Sequence, residues 1–256
     1  MDVSSLALLL LLAGCAAYVQ TLTGFAFGLL MMGGIGMLGL IPLPDAAVIV
    51  GVLTLVNATQ VFSQGWRDVA WPEFRLVIGP SLVLLVGGYF LLNFLADTNL
   101  DGLRLMLGLV IVGASIQLTL QPHPLPQRSS SGSFVLAGAL GGFLGGMFST
   151  AGPPLIYHLY RQPLPAVSIR ETLVLVFGIN AILRLVLVGV SGHLPQGTIW
   201  WGLLAIPVVM SMTYVARRWP PPLSLMAMRR VAFFLLLLSG LSLAVPALIK
   251  LIGVSP

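Results

Sequence analysis

Ten apolar runs fill this chain almost end to end, at residues 4–20, 24–41, 45–64, 72–96, 100–120, 134–147, 153–161, 166–190, 197–216 and 226–250. Most approach the roughly 20 residues that a helix needs to cross a bilayer. A backbone in hydrocarbon must satisfy its own hydrogen bonds, so long continuous runs of this kind are read as membrane helices. Only 7% of the residues are charged, against about 25% in a soluble domain, and 58% are hydrophobic. With 256 residues, no sizeable soluble domain fits beside the ten segments. The expected class is an all-α polytopic membrane protein.

The twelve Lys and Arg residues and the formal charge of +5 would suggest nucleic acid in a soluble chain. Here they are spread through short loops, with no basic stretch longer than Arg217-Arg218, and they read as topology signals. The partners expected are the lipid bilayer and a small solute, not nucleic acid. The single cysteine, Cys15, excludes an internal disulfide and a cysteine metal cluster. The start "MDVSSLALLLLLAGCAAY" contains a lipoprotein-like box at Leu12 to Cys15, but Asp2 stands where a signal would be basic. Residues 4–20 are therefore taken as the first membrane helix.

The polar stretch 121–133, "QPHPLPQRSSSGS", separates a first membrane repeat, 1–120, from a second, 134–256. Asn57 lies in the third run of one half and Asn180 in the third run of the other. Pro80 and Pro207 occupy the fourth runs. Counting back 33 and 34 residues from the asparagines reaches Gly24 and Gly146, each inside a glycine-rich polar break. Arg67 and Arg75, Arg161 and Arg170, and Arg217, Arg218, Arg229 and Arg230 mark three loops as cytoplasmic. The loops around 41–45, 96–101 and 191–196 are nearly free of basic residues and are placed outside. Equivalent loops of the two halves then fall on opposite sides, which predicts inverted repeats and an external C-terminus. Each repeat is a broken, re-entrant-like helical hairpin followed by three membrane helices. Runs 134–147 and 153–161 are read as too short to span separately.

The breaks are where chemistry is expected. Irregular backbone at membrane depth is tolerated only where protein buries it or where it lines a cavity. Transporters built from inverted repeats bind substrate where two such breaks meet. The first break, "QTLTGFAFG", offers Gln20, Thr21 and Thr23 with Gly24 and Gly28. The second, "GGMFSTAGPPLIYH", offers Ser149, Thr150 and Gly152. Hydroxyls and unpaired amides at helix starts suit a small oxyanion. Gly138, Gly142 and Gly146 have the four-residue spacing of a helix-packing face.

Asn57 and Asn180 either contact substrate or hydrogen-bond across a helix pair. Arg184, one turn beyond Asn180 on the same face, either serves the site or snorkels to the outer surface. His158, behind the second break, is a candidate proton carrier or a packing residue. Arg104 beside Asp101 reads as a surface ion pair. The chain lacks the His-Glu-x-x-His, Gly-x-Ser-x-Gly and P-loop patterns. No enzyme activity, cofactor or metal is expected.

"TGFAFGLL", "GGFLGGMFSTAGPPLIYHLYRQPLP" and "IRETLVLVFGINAILRLVLVGVSG", with the loop "GWRDVAW", resemble the sulfite exporter family, the TauE/SafE proteins. The likeness covers nearly the whole chain and departs at Ser149-Thr150-Ala151, where many members carry a glycine cluster. It implies a transporter of small sulfur-containing anions across the cytoplasmic membrane, commonly an exporter. The expected function is thus a secondary transporter exporting a sulfur oxyanion or organosulfonate by alternating access at a midplane site. The alternatives are an anion channel and a non-transporting assembly partner. A homodimer is compatible with the sequence.

Overall fold

The computed structural model describes residues 3–23, 26–62, 67–119, 124–150, 152–195, 197–219 and 225–252. Ten helices follow one another and no strand occurs among the described residues: α1 (Val3–Thr23), α2 (Phe27–Leu38), α3 (Leu43–Phe62), α4 (Trp71–Thr98), α5 (Leu100–Thr119), α6 (Ser131–Phe148), α7 (Pro153–Tyr160), α8 (Ala166–Val190), α9 (Ile199–Arg218) and α10 (Leu225–Leu251). Helices α1, α4, α5, α6, α8, α9 and α10 are long and apolar enough to cross a membrane. Large apolar side chains such as Leu11, Phe90, Phe94, Leu136, Trp200 and Phe234 remain exposed around the bundle. Water would oppose that surface, whereas lipid tails match it.

One expectation about the elements changes. The sixth helix begins at Ser131, inside the stretch read as linker, and its 18 residues reach spanning length. At about 1.5 Å per residue it extends about 27 Å, longer than the run 134–147 suggests. Helix α7 does stay short, with 8 residues. Pro80 and Pro207 lie inside α4 and α9; Pro72 occupies the first turn of α4, where its missing N–H costs nothing.

Close packing of α4 against α6 explains the glycine stripe. A Cβ on Gly138, Gly142 or Gly146 would lie 2.5 Å from Val77 O, 2.0 Å from Ser81 O and 2.1 Å from Leu85 O. Partners rise together along both helices, so the two run parallel with their backbones nearly touching. Helices α5 and α10 make the antiparallel counterpart, where a Cβ on Gly108 would lie 2.7 Å from Gly240 O and one on Gly240 would lie 2.9 Å from Gly108 O. Elsewhere α1 packs on α9, α3 on α8 and α9, and α4 on α8.

Polar contacts gather at the two ends of the bundle. At one end Glu73, buried on α4, accepts a 2.7 Å hydrogen bond from Arg128 Nε, Gln162 donates to Ser129 Oγ and His158 O, and Glu171 accepts from the Asp68 amide. At the other end Asp45 accepts from Thr198, and Asp101 lies 3.7 Å from both Arg104 and Lys250. The Arg104–Asp101 pair is partly exposed, as a surface pair should be. Arg128→Ala would leave the Glu73 carboxylate buried without its cation. It is expected to destabilise the fold by about 1–3 kcal/mol, read as a lower thermal midpoint in detergent. Between these ends lies a third polar cluster, around the two breaks.

Candidate anion site

Both breaks come from chain that cannot continue a helix. Ser149 ends α6 in the left-handed region at φ 52, its amide bonded to Gly145 O. Pro153 and Pro154 then begin α7. Before α2, Ala26 takes φ 97, and the Phe27 amide donates to Gln20 Oε1 at 3.0 Å. The breaks touch: a Cβ on Gly28, in the first turn of α2, would lie 2.8 Å from Thr150 Cβ and 3.3 Å from Ser149 O. Only a residue without a side chain allows that approach.

A cavity of about 40 Å³ opens beside this contact, room for about three water-sized guests. Gln20 of α1, the first turn of α2, Thr54 of α3, Gly145, Ser149 and Thr150 at the end of α6, Ile156 of α7, and Phe177, Asn180, Ala181 and Arg184 of α8 line it. No carboxylate stands among these lining residues.

Arg184 dominates the electrostatics. It is 1% exposed, so it does not snorkel. Its Nε donates to Gly146 O at 3.0 Å, satisfying a carbonyl in the last turn of α6 and placing positive charge at the negative end of that helix. Its Cζ lies 5.8 Å from the Tyr89 ring centroid. Nη1 is buried with no hydrogen-bond partner among the described residues. An unpaired buried N–H on a cation is costly, and an anion or water entering the cavity would relieve that cost.

Asn180 hydrogen-bonds Ser81 of α4: its Nδ2 donates to Ser81 Oγ at 2.8 Å, and Ser81 Oγ is 3.2 Å from its Oδ1. Nδ2 carries a second hydrogen, which this bond does not use. Ser149 Oγ donates to Ala47 O of α3, so this hydroxyl ties the break to α3 while its residue lines the cavity. Thr150 is buried against Gly28.

The structure therefore gathers Ser149, Thr150, Asn180 and Arg184 around one cavity. Asn57 is buried on α3, but Thr54, one turn earlier, is the α3 residue that lines it. Gly152 packs against Leu144. His158 sits at the end of the bundle that holds Arg128, 3.3 Å from Ser133 and edge-on to Phe134. Gly24 and the Thr23 side chain fall outside the described residues. The expectation of helix-start amides at both breaks also needs correction. Pro153 and Pro154 have no N–H, and the Leu155 amide is bonded to Gly152 O. The second break thus contributes side chains, and only α2 presents a helix start to the cavity. Thr54 was discoverable as a neighbour of Asn57 on one helix face. Ser81 and Tyr89 carried no such signal, because the packing of α4 against α8 brings them to Asn180 and Arg184.

A family model described as sulfite exporter TauE/SafE matches residues 9–243, well over half of the chain. The chain belongs to the TauE/SafE family. A relative from Cupriavidus necator, described as a "probable sulfite/organosulfonate exporter TauE", is 38% identical over 237 residues, covering 93% of each chain. No solved structure matches. Family membership and the apolar helices establish a multi-pass membrane protein of an exporter family. The site of this TauE/SafE chain has one buried cation and neutral hydrogen-bonding groups around a small cavity.

Proposed function

We propose that this protein is a secondary transporter that exports a small sulfur oxyanion across the cytoplasmic membrane. One observation carries the reading: Arg184 is fully buried beside the cavity and keeps an unpartnered N–H. Such a group calls for an anion from outside the protein. Thr150, Asn180 and the first turn of α2 supply neutral donors, and the dipole of α2 adds to the attraction. The relative's printed description directs attention to sulfite and organosulfonates. The cavity volume favours the four-atom inorganic oxyanion over a longer sulfonate.

Alternating access at a midplane site follows from inverted repeats. The helix pairings support that architecture. Helix α3 packs on α9 as α8 packs on α4, α1 on α9 as α6 on α4, and α1 neighbours α2 as α6 neighbours α7. Helices α3 and α8, and α5 and α10, each pack on their own counterpart, as elements next to a two-fold axis do. The uneven loop charges argue for inversion, with loops 96–101 and 191–196 and the C-terminus outside. The two break regions would rock against the surrounding helices.

The test is a thermal-shift screen of the purified protein against sulfite, thiosulfate, sulfoacetate, taurine and simple carboxylates, joined to counterflow in proteoliposomes. Sulfite is expected to raise the midpoint most and to drive saturable counterflow. Unitary currents would instead identify a channel, and no response to any anion would sink the proposal. Gly28→Ala should fold but lose at least about tenfold in counterflow. Its methyl group would lie 2.8 Å from Thr150 Cβ, closer than van der Waals contact, so Thr150 must shift, and one misplaced ångström at a site costs more than a decade of rate.

A further inference from the structure

Between the cavity and the end of the bundle that carries His193 lies a thin apolar layer. Val48 of α3, Tyr89 of α4 and Val188 of α8 form it, at 3%, 1% and 1% exposure, with Leu185 packed against them. Tyr89 connects both sides. Its ring lies 5.8 Å from Arg184 Cζ, and its hydroxyl oxygen is 3.4 Å from His193 Nδ1. His193 is exposed, in the segment that follows α8. One buried side chain thus touches the cation of the site and the loop assigned to the outside.

We propose that Tyr89 and His193 form the exit gate of the transport path, with the Tyr89 ring as the barrier and His193 as its latch. This rests on the anion-site reading and on the orientation given above. An anion of sulfite size cannot pass three fully buried side chains without displacing one of them. Arg184 divides its charge between two partners, the ring face and whatever occupies the cavity. A ring quadrupole holds a cation less strongly than a charge-assisted hydrogen bond does. An anion at Nη1 therefore draws the guanidinium toward itself and loosens the inner attachment of Tyr89. The outer attachment is long for a hydrogen bond, and on an exposed residue it exchanges readily with water. Occupancy and opening are coupled through Arg184.

The packing also says which side moves. A Cβ on Gly88 would be 2.1 Å from Phe143 O, and one on Gly146 would be 2.8 Å from the Tyr89 amide nitrogen. The α4 backbone around Tyr89 is clamped to α6 and has no room to shift. Ser191 and Gly192, the latter at φ 70, form the turn after α8. Opening is therefore a movement of the outer end of α8 and its loop, accompanied by rotation of the Tyr89 side chain.

The experiment starts from Cys15→Ser, which removes the single native thiol. Val188→Cys then reports the barrier and Leu194→Cys, 53% exposed in the native chain, reports the loop, both read with a membrane-impermeant thiol reagent added outside. Leu194→Cys should label rapidly in every background. Val188→Cys should label slowly, and at least about fivefold faster after Tyr89→Phe or His193→Ala, or with sulfite confined to the inside, away from the reagent. His193→Ala should keep the sulfite-induced thermal shift, because it lies outside the cavity and leaves Arg184 and the Tyr89 ring in place. His193→Ala removes the same contact from an exposed position and serves if Tyr89→Phe folds poorly. Unchanged Val188→Cys labelling in both variants, with the thermal shift intact, overturns the gate and leaves the anion site standing. Absence of any sulfite shift in the unaltered protein overturns the site and the gate together. Labelling of Leu194→Cys from the inside alone overturns the assignment of this end as the exit.

Discussion

Arg184→Met is expected to abolish the sulfite-induced thermal shift and to weaken anion affinity at least about a hundredfold, or about 2.8 kcal/mol. The loss corresponds to one or two charge-assisted hydrogen bonds at about 1.5–3 kcal/mol each. The unliganded protein should respond differently. Methionine gives up the bond from Nε to Gly146 O, which closes the end of α6. It also removes a buried cation with an unsatisfied N–H, and apolar replacements of buried charges are often neutral or stabilising. The midpoint without ligand should therefore move little while the response to anion vanishes. Arg184→Lys separates the roles, because a point ammonium cannot cap α6 and address the cavity with separate nitrogens of a rigid fork. Lysine should retain part of the affinity. If Arg184→Met binds sulfite as tightly as the native chain, the cation only caps a helix and the site lies elsewhere.

Gly142→Ala is expected to be strongly damaging for a single added methyl group. The added Cβ would meet Ser81 at 2.0 Å from O and 2.5 Å from both C and Cα, so a backbone must yield and no side chain can rotate away. Overpacking of this kind costs about 1–3 kcal/mol. It also acts on the site, since Ser81 is the hydrogen-bond partner of Asn180. Pushing α4 outward removes the group that orients the Asn180 amide. Stability and anion affinity should fall together, read by thermal unfolding with and without sulfite. Gly79→Ala supplies the control: on the same α4, a Cβ there meets nothing within 4 Å. It should leave both measurements unchanged or raise the midpoint slightly, because alanine is the better helix former. Equal effects of the two substitutions would remove the close α4–α6 contact as an explanation.

Much of this protein is legible along the chain because the bilayer narrows the choices. An apolar run near 20 residues in hydrocarbon has to be a helix, and each of the ten runs does form one. Proline and glycine punctuate where the backbone cannot continue, so the sequence separates α1 from α2 and α6 from α7. The four-residue glycine spacing announced a packing face, and Gly138, Gly142 and Gly146 form one. Boundaries fared less well. Ser131, Gly132 and Ser133 look like loop residues, yet they form the first turn of α6, because a serine-rich helix start is polar for the same reason a loop is.

The site divides along the same line. Arg184 and Asn180 could be selected from sequence because a charge or an amide inside an apolar helix needs a partner, whatever surrounds it. Which partner they find depends on helices distant in sequence: Ser81 is 99 residues from Asn180 and Gly146 is 38 from Arg184. Tyr89 carries no signal in the sequence until α8 is laid beside α4. The covalent order of residues sets the local demands: a helix here, a break there, a buried cation that must be answered. Their answers come from neighbours across the bundle. Helix packing depends on which small residues let two backbones meet, and that contact brings Gly28 to Thr150 and Arg184 to the end of α6.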